Sequence, residues 1–293
     1  MDSLSQSESM SSADTGIAAQ PLSWGRSYLM CPPDYFGVLY EINPWMHCDI
    51  QANKEKAYEQ WHKLVANIQQ AGGKVATMEP EPSVPDLVFA ANAGTVDGNR
   101  FVVSRFKYPE RQPESAYDAA WFSARDYEVI DLPLAPGVAF EGCGDVFALG
   151  NGLLAGYGFR TDLAAHAELG KALDVEVYSA HLIDPRFYHL DLSFCPLDSR
   201  HAIIAPDAWH PDSFAMIQQL VPEPLLLELD EALTFCANSI VVNHVVIMPH
   251  CPLRVGRILN AWGYEVCESP ITEFLKAGGG VRCLTLALDV SLH

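Results

Sequence analysis

The chain has 293 residues, 49% of them apolar and 19% charged, with 18 Lys and Arg against 37 Asp and Glu for a formal charge of −19. Nearly half the side chains can be buried, which excludes disorder throughout, and an acidic chain without a run of Lys or Arg is repelled by phosphate backbones and anionic lipid. Neither nucleic acid nor a membrane is expected as a partner; the same field favours the approach of a small cation.

In chain order, Met1 to Pro21 is rich in Ser and has no basic residue, unlike a signal or mitochondrial peptide. Residues 1–23 are expected to form a disordered tail, residues 24–293 one domain, and the protein is expected to be cytoplasmic. The first helix is predicted from about Asn53 to Ala71, with Asn53 as N-cap, Ala57, Trp61, Leu64, Val65 and Ile68 on one face, and Gly72-Gly73 as the stop. Weaker helical patterns begin near Glu114, Thr161, Pro211 and Cys251. Short apolar and β-branched runs lie between them, among them Leu87 to Ala91, Phe101 to Ser104, Leu153 to Tyr157, Ala202 to Ala205, Ile240 to Val242, Val245 to Met248 and Val281 to Leu286. Two or three strands and one helix, recurring every 40 to 61 residues, are the pattern of a repeat architecture, and five such units suggest a closed ring. An open α/β sheet with uneven spacing is the alternative.

Two patterns point to functions that their context denies. Gly150-Asn151-Gly152-Leu153-Leu154-Ala155 matches a dinucleotide fingerprint, yet the strand-like, Gly-punctuated stretch after it cannot supply the helix N-terminus that holds a pyrophosphate. A hairpin turn is expected there. Ten histidines occur without zinc spacing, so no metal and no cofactor are expected. The eight cysteines are too sparse for a disulfide scaffold and form no C-x-x-C pair. Seven read as small buried hydrophobes, which leaves the question of whether one differs.

Four segments carry polar residues inside apolar runs. Pro85 to Gly94 ends a predicted strand in Asn92; Phe140-Glu141-Gly142-Cys143-Gly144-Asp145 sets two acids around glycines; Phe187 to Cys195, read as a strand, puts His189, Asp191 and Ser193 on one face; and Gly278-Gly279-Gly280 leaves backbone open to close approach before Cys283. Each alone has a plain explanation as a turn, a satisfied histidine or a core thiol. Together a thiol, an imidazole, three carboxylates and an amide suit attack by Cys on an electron-poor planar carbon held by acids, for which a guanidinium is the natural cation.

Phe140-Glu141-Gly142-x-Gly144-Asp145, His189-x-Asp191 and the glycines before Cys283, in that order, resemble the guanidino-group-modifying superfamily of arginine deiminases, dimethylarginine dimethylaminohydrolases and amidinotransferases. Tyr40 to Met46, Phe89 to Gly94, Gly156 to Arg160, Arg186 to Asp191 and Thr272 to Gly279 look like its arginine dihydrolase branch. The resemblance covers about Ser27 to Leu288. It implies the five-bladed α/β propeller, or pentein fold, with Cys283 as nucleophile, His189 as general acid/base, Glu141 orienting that histidine, and Asp191 and Asn92 gripping the guanidinium. Arg160, with Arg111 and Arg105 as further partners, matches the arginines that bind a substrate carboxylate; Asn43 and Asp145 match groups lining the substrate end. Cys143 stands where Gly or Ala is usual.

The resemblance implies hydrolysis of free L-arginine to ornithine, two ammonia and carbon dioxide, without metal or cofactor. Citrulline-forming hydrolysis of arginine or of a methylated arginine is the alternative within enzymes, and a pentein-fold binding protein without catalysis is the alternative outside them. The sequence leaves homo-oligomerisation open. The dihydrolases joined to an ornithine-processing domain are longer than this chain, which is read here as lacking that second domain.

Overall fold

The structure, a computed structural model, describes residues 19–293. The chain starts with β1 (Ser27–Met30), α1 (Lys54–Gln70) and β2 (Lys74–Thr77). Asn53 caps α1 by accepting the Lys56 N–H at 2.9 Å, and Ala57, Trp61, Leu64 and Ile68 are buried along one side. Burying each of the three large side chains contributes about 1.5–3 kcal/mol, more than the helix could draw from propensity alone. The chain leaves α1 through Gly72 at φ +91, a left-handed conformation that stops the helix.

Next come β3 (Gly94–Asp97), β4 (Arg100–Val103), α2 (Glu114–Ser123) and β5 (Glu128–Ile130), then β6 (Val146–Leu149), β7 (Gly152–Tyr157), α3 (Leu163–Leu173) and β8 (Glu176–His181). They are followed by β9 (Phe194–Pro196), β10 (His201–Ile204), α4 (Pro211–Leu220) and β11 (Glu223–Leu226). A short α5 (Leu229–Ala232) leads to β12 (Ile240–Val242), β13 (Val245–Met248), α6 (Leu253–Ala261) and β14 (Glu265–Glu268), and a short α7 (Thr272–Leu275) to β15 (Leu286–Ala287).

These strands form five three-stranded sheets of one plan. A first strand pairs antiparallel with a central one, which pairs parallel with a third after a helical crossover: β3–β4–β5 with α2, β6–β7–β8 with α3, β9–β10–β11 with α4, and β12–β13–β14 with α6. In the remaining sheet the first strand is the last in sequence, because β15 pairs antiparallel with β1 (Tyr28↔Ala287, Leu29↔Leu286) and β1 parallel with β2. The two ends of the described chain therefore complete one sheet. The largest apolar cluster joins Tyr28, Leu64, Leu154, Phe194, Ile203, Val246 and Leu284, so neighbouring units share one core. This is a mixed α/β fold of five repeated units, each hiding apolar surface against others.

All five helices expected from the sequence are present, and Gly150 at φ +58 turns the β6–β7 hairpin, as the failed nucleotide context required. Three strand expectations are corrected. Leu87 to Ala91 lies in two 3₁₀ turns, Pro85–Val88 and Ala90–Ala93; Phe187 to Cys195 runs through 3₁₀ turns at Pro185–Phe187 and Leu190–Leu192 before β9; and of Val281 to Leu286 only the last residue is strand. The cause is burial. Leu190, Asp191 and Leu192 are all inside, so the apparent alternation marks no exposed sheet face. The expected tail is also too long at its end: the Gln20 carbonyl accepts the Ser199 N–H at 2.9 Å and Pro21 bridges Asp198. Its first 18 residues lie outside the described residues.

Candidate active site

The same plan places one residue from each unit in the segment entering its first strand. Asn92 lies just before β3, Cys143 before β6, Asp191 before β9, Asn238 before β12 and Cys283 before β15. These entering segments touch. The Ala91 N–H donates to the Cys283 carbonyl at 3.1 Å, and Asn92 Nδ2 to the Glu141 carbonyl at 3.4 Å. At Gly144 an added Cβ would lie 2.2 Å from Asn92 Nδ2 and 3.3 Å from His189 Nδ1, so glycine is required for the amide and the imidazole to meet there.

At the centre, Cys283 Sγ is 3.3 Å from Asp191 Oδ2 and 3.2 Å from Asn238 Nδ2. Asp191 is fully buried and its Oδ1 has no donor among the described residues. Burial pushes the Asp191 carboxyl up to about 7, against the opposing field of Arg282 and a hydrogen bond from Cys283. Burial and Asp191 likewise push the Cys283 thiol up. Burial and the neighbouring carboxylate thus favour the protonated sulfur, and a cation beside Asp191 would oppose both.

His189 is held through one ring nitrogen. Its Nε2 shares Glu141 Oε2 at 2.8 Å, and that oxygen also accepts Arg160 Nη1 at 2.9 Å; Glu141 Oε1 accepts the Lys107 backbone N–H at 3.1 Å. Burial opposes the charge on Glu141, but Arg160 and then His189 outweigh it and hold the carboxyl well below the usual carboxylate range. Nδ1 is left as the ring nitrogen for proton transfer. Arg160 lies between the Tyr108 and Tyr188 rings, 4.8 and 4.7 Å from their centroids, and its Nη2 donates to the Ile42 carbonyl at 3.0 Å.

Arg111 enters the same region. Its Nη1 donates to Asn92 Oδ1 at 2.8 Å while Nε and Nη2 grip Glu114 at 2.8 and 2.7 Å. That contact turns the Asn92 amide so that Nδ2 faces Glu141. Asn43 is spent on backbone, donating to the Ala277 carbonyl at 3.0 Å and accepting the Trp45 N–H at 2.9 Å, which seats the segment before α1 on the glycine-rich loop. Asp145 Oδ1 accepts the Leu190 N–H at 3.0 Å, Oδ2 has no donor among the described residues, and burial pushes the carboxyl up to about 6.

Arg105 is corrected. Its guanidinium donates to the Leu132 and Leu134 carbonyls and to Asp131 on the outer side of its sheet, so it is not brought to the cluster. The openness expected of the Gly278 to Gly280 backbone is used by the protein itself: an added Cβ would meet Tyr188 and Asn43 at the first position, the Phe89 ring at the second and Asn238 at the third. Asn238 and Tyr188 are the members of the cluster that the sequence reading missed. The signal existed for Asn238, since Asn238-Ser239 precedes the Ile240 run much as Asn92 precedes β3.

A thiol beside an underpartnered buried carboxylate, with an imidazole steered by a second carboxylate, is equipped for covalent attack on a cationic planar carbon. The model of the family described as N,N dimethylarginine dimethylhydrolase, eukaryotic, matches residues 41–290. The chain belongs to this family of guanidino-group-modifying enzymes. Within the superfamily it is 43% identical, over 88% of its length, to the bifunctional arginine dihydrolase/ornithine cyclodeaminase ArgZ of Synechocystis, of which it spans 37%. It is 35% identical to the N(G),N(G)-dimethylarginine dimethylaminohydrolase of Mycobacterium tuberculosis, covering 95% of this chain and 91% of that one. A crystal structure of the N-terminal domain of ArgZ, as a cysteine-to-serine mutant bound to substrate, superposes with a TM-score of 0.87 at 40% identity, covering 91% of this chain and 99% of that domain. No helix among the described residues is long and apolar enough to cross a membrane.

Proposed function

We propose that this family member is a Cys-dependent hydrolase of free L-arginine that releases ornithine, two ammonia and carbon dioxide, consuming two waters. The observation that carries the reading is the Cys283 thiol 3.3 Å from Asp191, whose second oxygen is buried without a donor among the described residues. A guanidinium supplies both the missing N–H donors and the positive charge that draws the proton off sulfur. The likeness to the ArgZ N-terminal domain over nearly all of that domain supports the dihydrolase branch, as does Asn92 at the position where deiminases carry a second gripping aspartate. The sheet shared by β15 and β1 supports closure of the five units into a propeller, with the site at its centre and residues 24–293 as one domain.

In this reading Asp191 and Asn92 fix the guanidinium, and Arg111 and Arg160 turn from their present partners toward the carboxylate of the amino acid. The thiolate adds to the central carbon, His189 protonates the departing ammonia, and His189 then activates water against the S-linked amidino group, returning the thiolate and leaving a ureido group. The cycle repeats on that group with loss of the second ammonia, and the carbamate left on ornithine falls apart to carbon dioxide. A neutral amide at position 92 tolerates the neutral ureido group, whereas a carboxylate there would set one oxygen against the Glu141 carbonyl and hold Arg111 with the other, away from the substrate carboxylate.

The product count tests the reaction. About two ammonia with ornithine per arginine support the dihydrolase reading, and about one ammonia with accumulating citrulline would replace it with a deiminase. Asn92→Asp is expected to shift the products toward citrulline by at least about tenfold, because the second attack loses its neutral partner and the new oxygen faces the Glu141 carbonyl. Unchanged ornithine yield in that variant, measured by mass spectrometry, would remove Asn92 from the argument.

Binding should depend on pH. Asp191 must be ionised to meet the cation, and its carboxyl stands near 7 without one. In a Cys283→Ala variant, which binds without turnover and lacks the Cys283 hydrogen bond that lowers Asp191, the carboxyl should titrate above the parent's value of about 7, and affinity for arginine is expected to fall by up to about tenfold per pH unit below that point. Calorimetric titration across that range checks this, and a flat profile would show that Asp191 does not change charge on binding.

A further inference from the structure

The residue from the β12–β13–β14 sheet, Asn238, is fully buried and uses both ends of its amide. Its Oδ1 accepts the Arg282 N–H at 2.9 Å and the Cys283 N–H at 3.3 Å. Its Nδ2 donates to the Asp191 carbonyl at 2.9 Å and reaches Cys283 Sγ at 3.2 Å. The amide cannot be turned over without loss, since reversal would set NH₂ against two backbone donors and oxygen against a carbonyl. Its N–H therefore points at sulfur whatever the charge of Cys283. Glycine at position 280 is what leaves room for this amide, because an added Cβ there would lie 2.2 Å from Asn238 Oδ1.

We infer that Asn238 is a further catalytic residue, whose amide N–H stabilises the Cys283 thiolate while its carbonyl oxygen holds the backbone of the nucleophile. The inference rests on the role proposed for Cys283. A hydrogen bond to a charged acceptor is stronger than one to a neutral acceptor, so an N–H fixed on sulfur favours the ionised form over the thiol. The same amide ties Cys283 to the backbone of Asp191, and so sets the distance between the nucleophile and the anion that would face the guanidinium. Each of the five sheets thus contributes to the centre through the segment entering its first strand, and this residue is what the β12–β13–β14 sheet supplies.

The test separates the donor from the acceptor. Asn238→Asp keeps an oxygen for the two backbone N–H groups and loses the donor to sulfur, whereas Asn238→Ala loses both. Thiolate formation is followed without arginine by absorbance near about 240 nm against pH, as the difference between each protein and its Cys283→Ala counterpart. The half-ionisation point of Cys283 is expected to rise by about one pH unit or more in Asn238→Ala and further in Asn238→Asp, with kcat on arginine falling in that order and KM changing less than about threefold. A purely structural role predicts the reverse order, because Asp preserves the backbone grip; that order, or an unmoved thiol titration in a folded Asn238→Ala protein, overturns the inference. Should Asn238→Asp fail to fold, the titration of Asn238→Ala alone decides. The thiol titration needs no turnover, so its failure is distinct from a failure of the arginine reaction, which the product count and Cys283→Ala report.

Discussion

Cys283→Ala is expected to lower ammonia release from arginine by about 10⁴- to 10⁶-fold and to leave the fold in place. Loss of a covalent nucleophile removes the step that every later step needs, and what survives is binding alone. The other thiol in the entering segments, Cys143, is no substitute: burial pushes it up, and its sulfur sits 3.8 Å from Thr95 Oγ1. The structural cost is small, because removing one buried sulfur leaves a cavity worth about 1 kcal/mol. Thermal unfolding should therefore shift by a few degrees while product formation disappears. Ammonia release above about 1% of the parent rate, with the fold intact, would move the nucleophile elsewhere.

Glu141→Gln is expected to be damaging in two separable ways. The carboxylate joins His189 and Arg160 at 2.8 and 2.9 Å inside the protein, and all three residues are buried. Without its charge, Arg160 becomes a buried cation whose remaining polar contact is the Ile42 carbonyl. Breaking one side of such a pair costs about 3–5 kcal/mol, so the melting temperature should fall by roughly 6–20 °C at neutral pH. The sign with pH follows from a carboxyl held below its ordinary value: the parent has this stability above about pH 4.5 and loses it on acidification through the lower folded value, while the variant lacks it throughout. Kinetically, His189 loses the partner that fixes its tautomer and orientation, and kcat should drop by about 10²- to 10⁴-fold with KM affected less. Calorimetry and steady-state kinetics on one preparation read both effects. A stable variant with parental kcat would mean that Glu141 neither pairs with Arg160 nor steers His189.

Much of this was visible before the structure. The helix at 54–70 was legible because a capping Asn, a period near 3.6 and a glycine stop all agree there, and the strands Ile240–Val242 and Val245–Met248 because β-branched residues crowd a short run. The four segments singled out for their polar residues do meet in the structure, but two of them have another local form than the strand expected. Leu87 to Ala91 and the part of Phe187 to Cys195 before β9 run through 3₁₀ turns, and where every residue is buried a binary pattern carries no information about which way the chain turns. Arg105 and Arg111 are equally good arginines in sequence; one faces Asp131 outside and the other Asn92 inside, which only the path of β4 and the turn after it separates.

What the sequence determined by itself is the inventory and the period: which residue types are available, and that helices return with strands between them at steps that suit a repeated unit. Those are local properties, set by propensity, capping and apolar spacing. Which polar residues meet was decided by tertiary structure alone, because they come from the segments entering different sheets and contact between them depends on those segments converging. The charge state of the centre was decided there too. Asp191 and Cys283 are far apart along the chain, and only when burial sets them 3.3 Å from each other does Asp191 strengthen the thiol's hold on its proton, which an incoming cation would oppose.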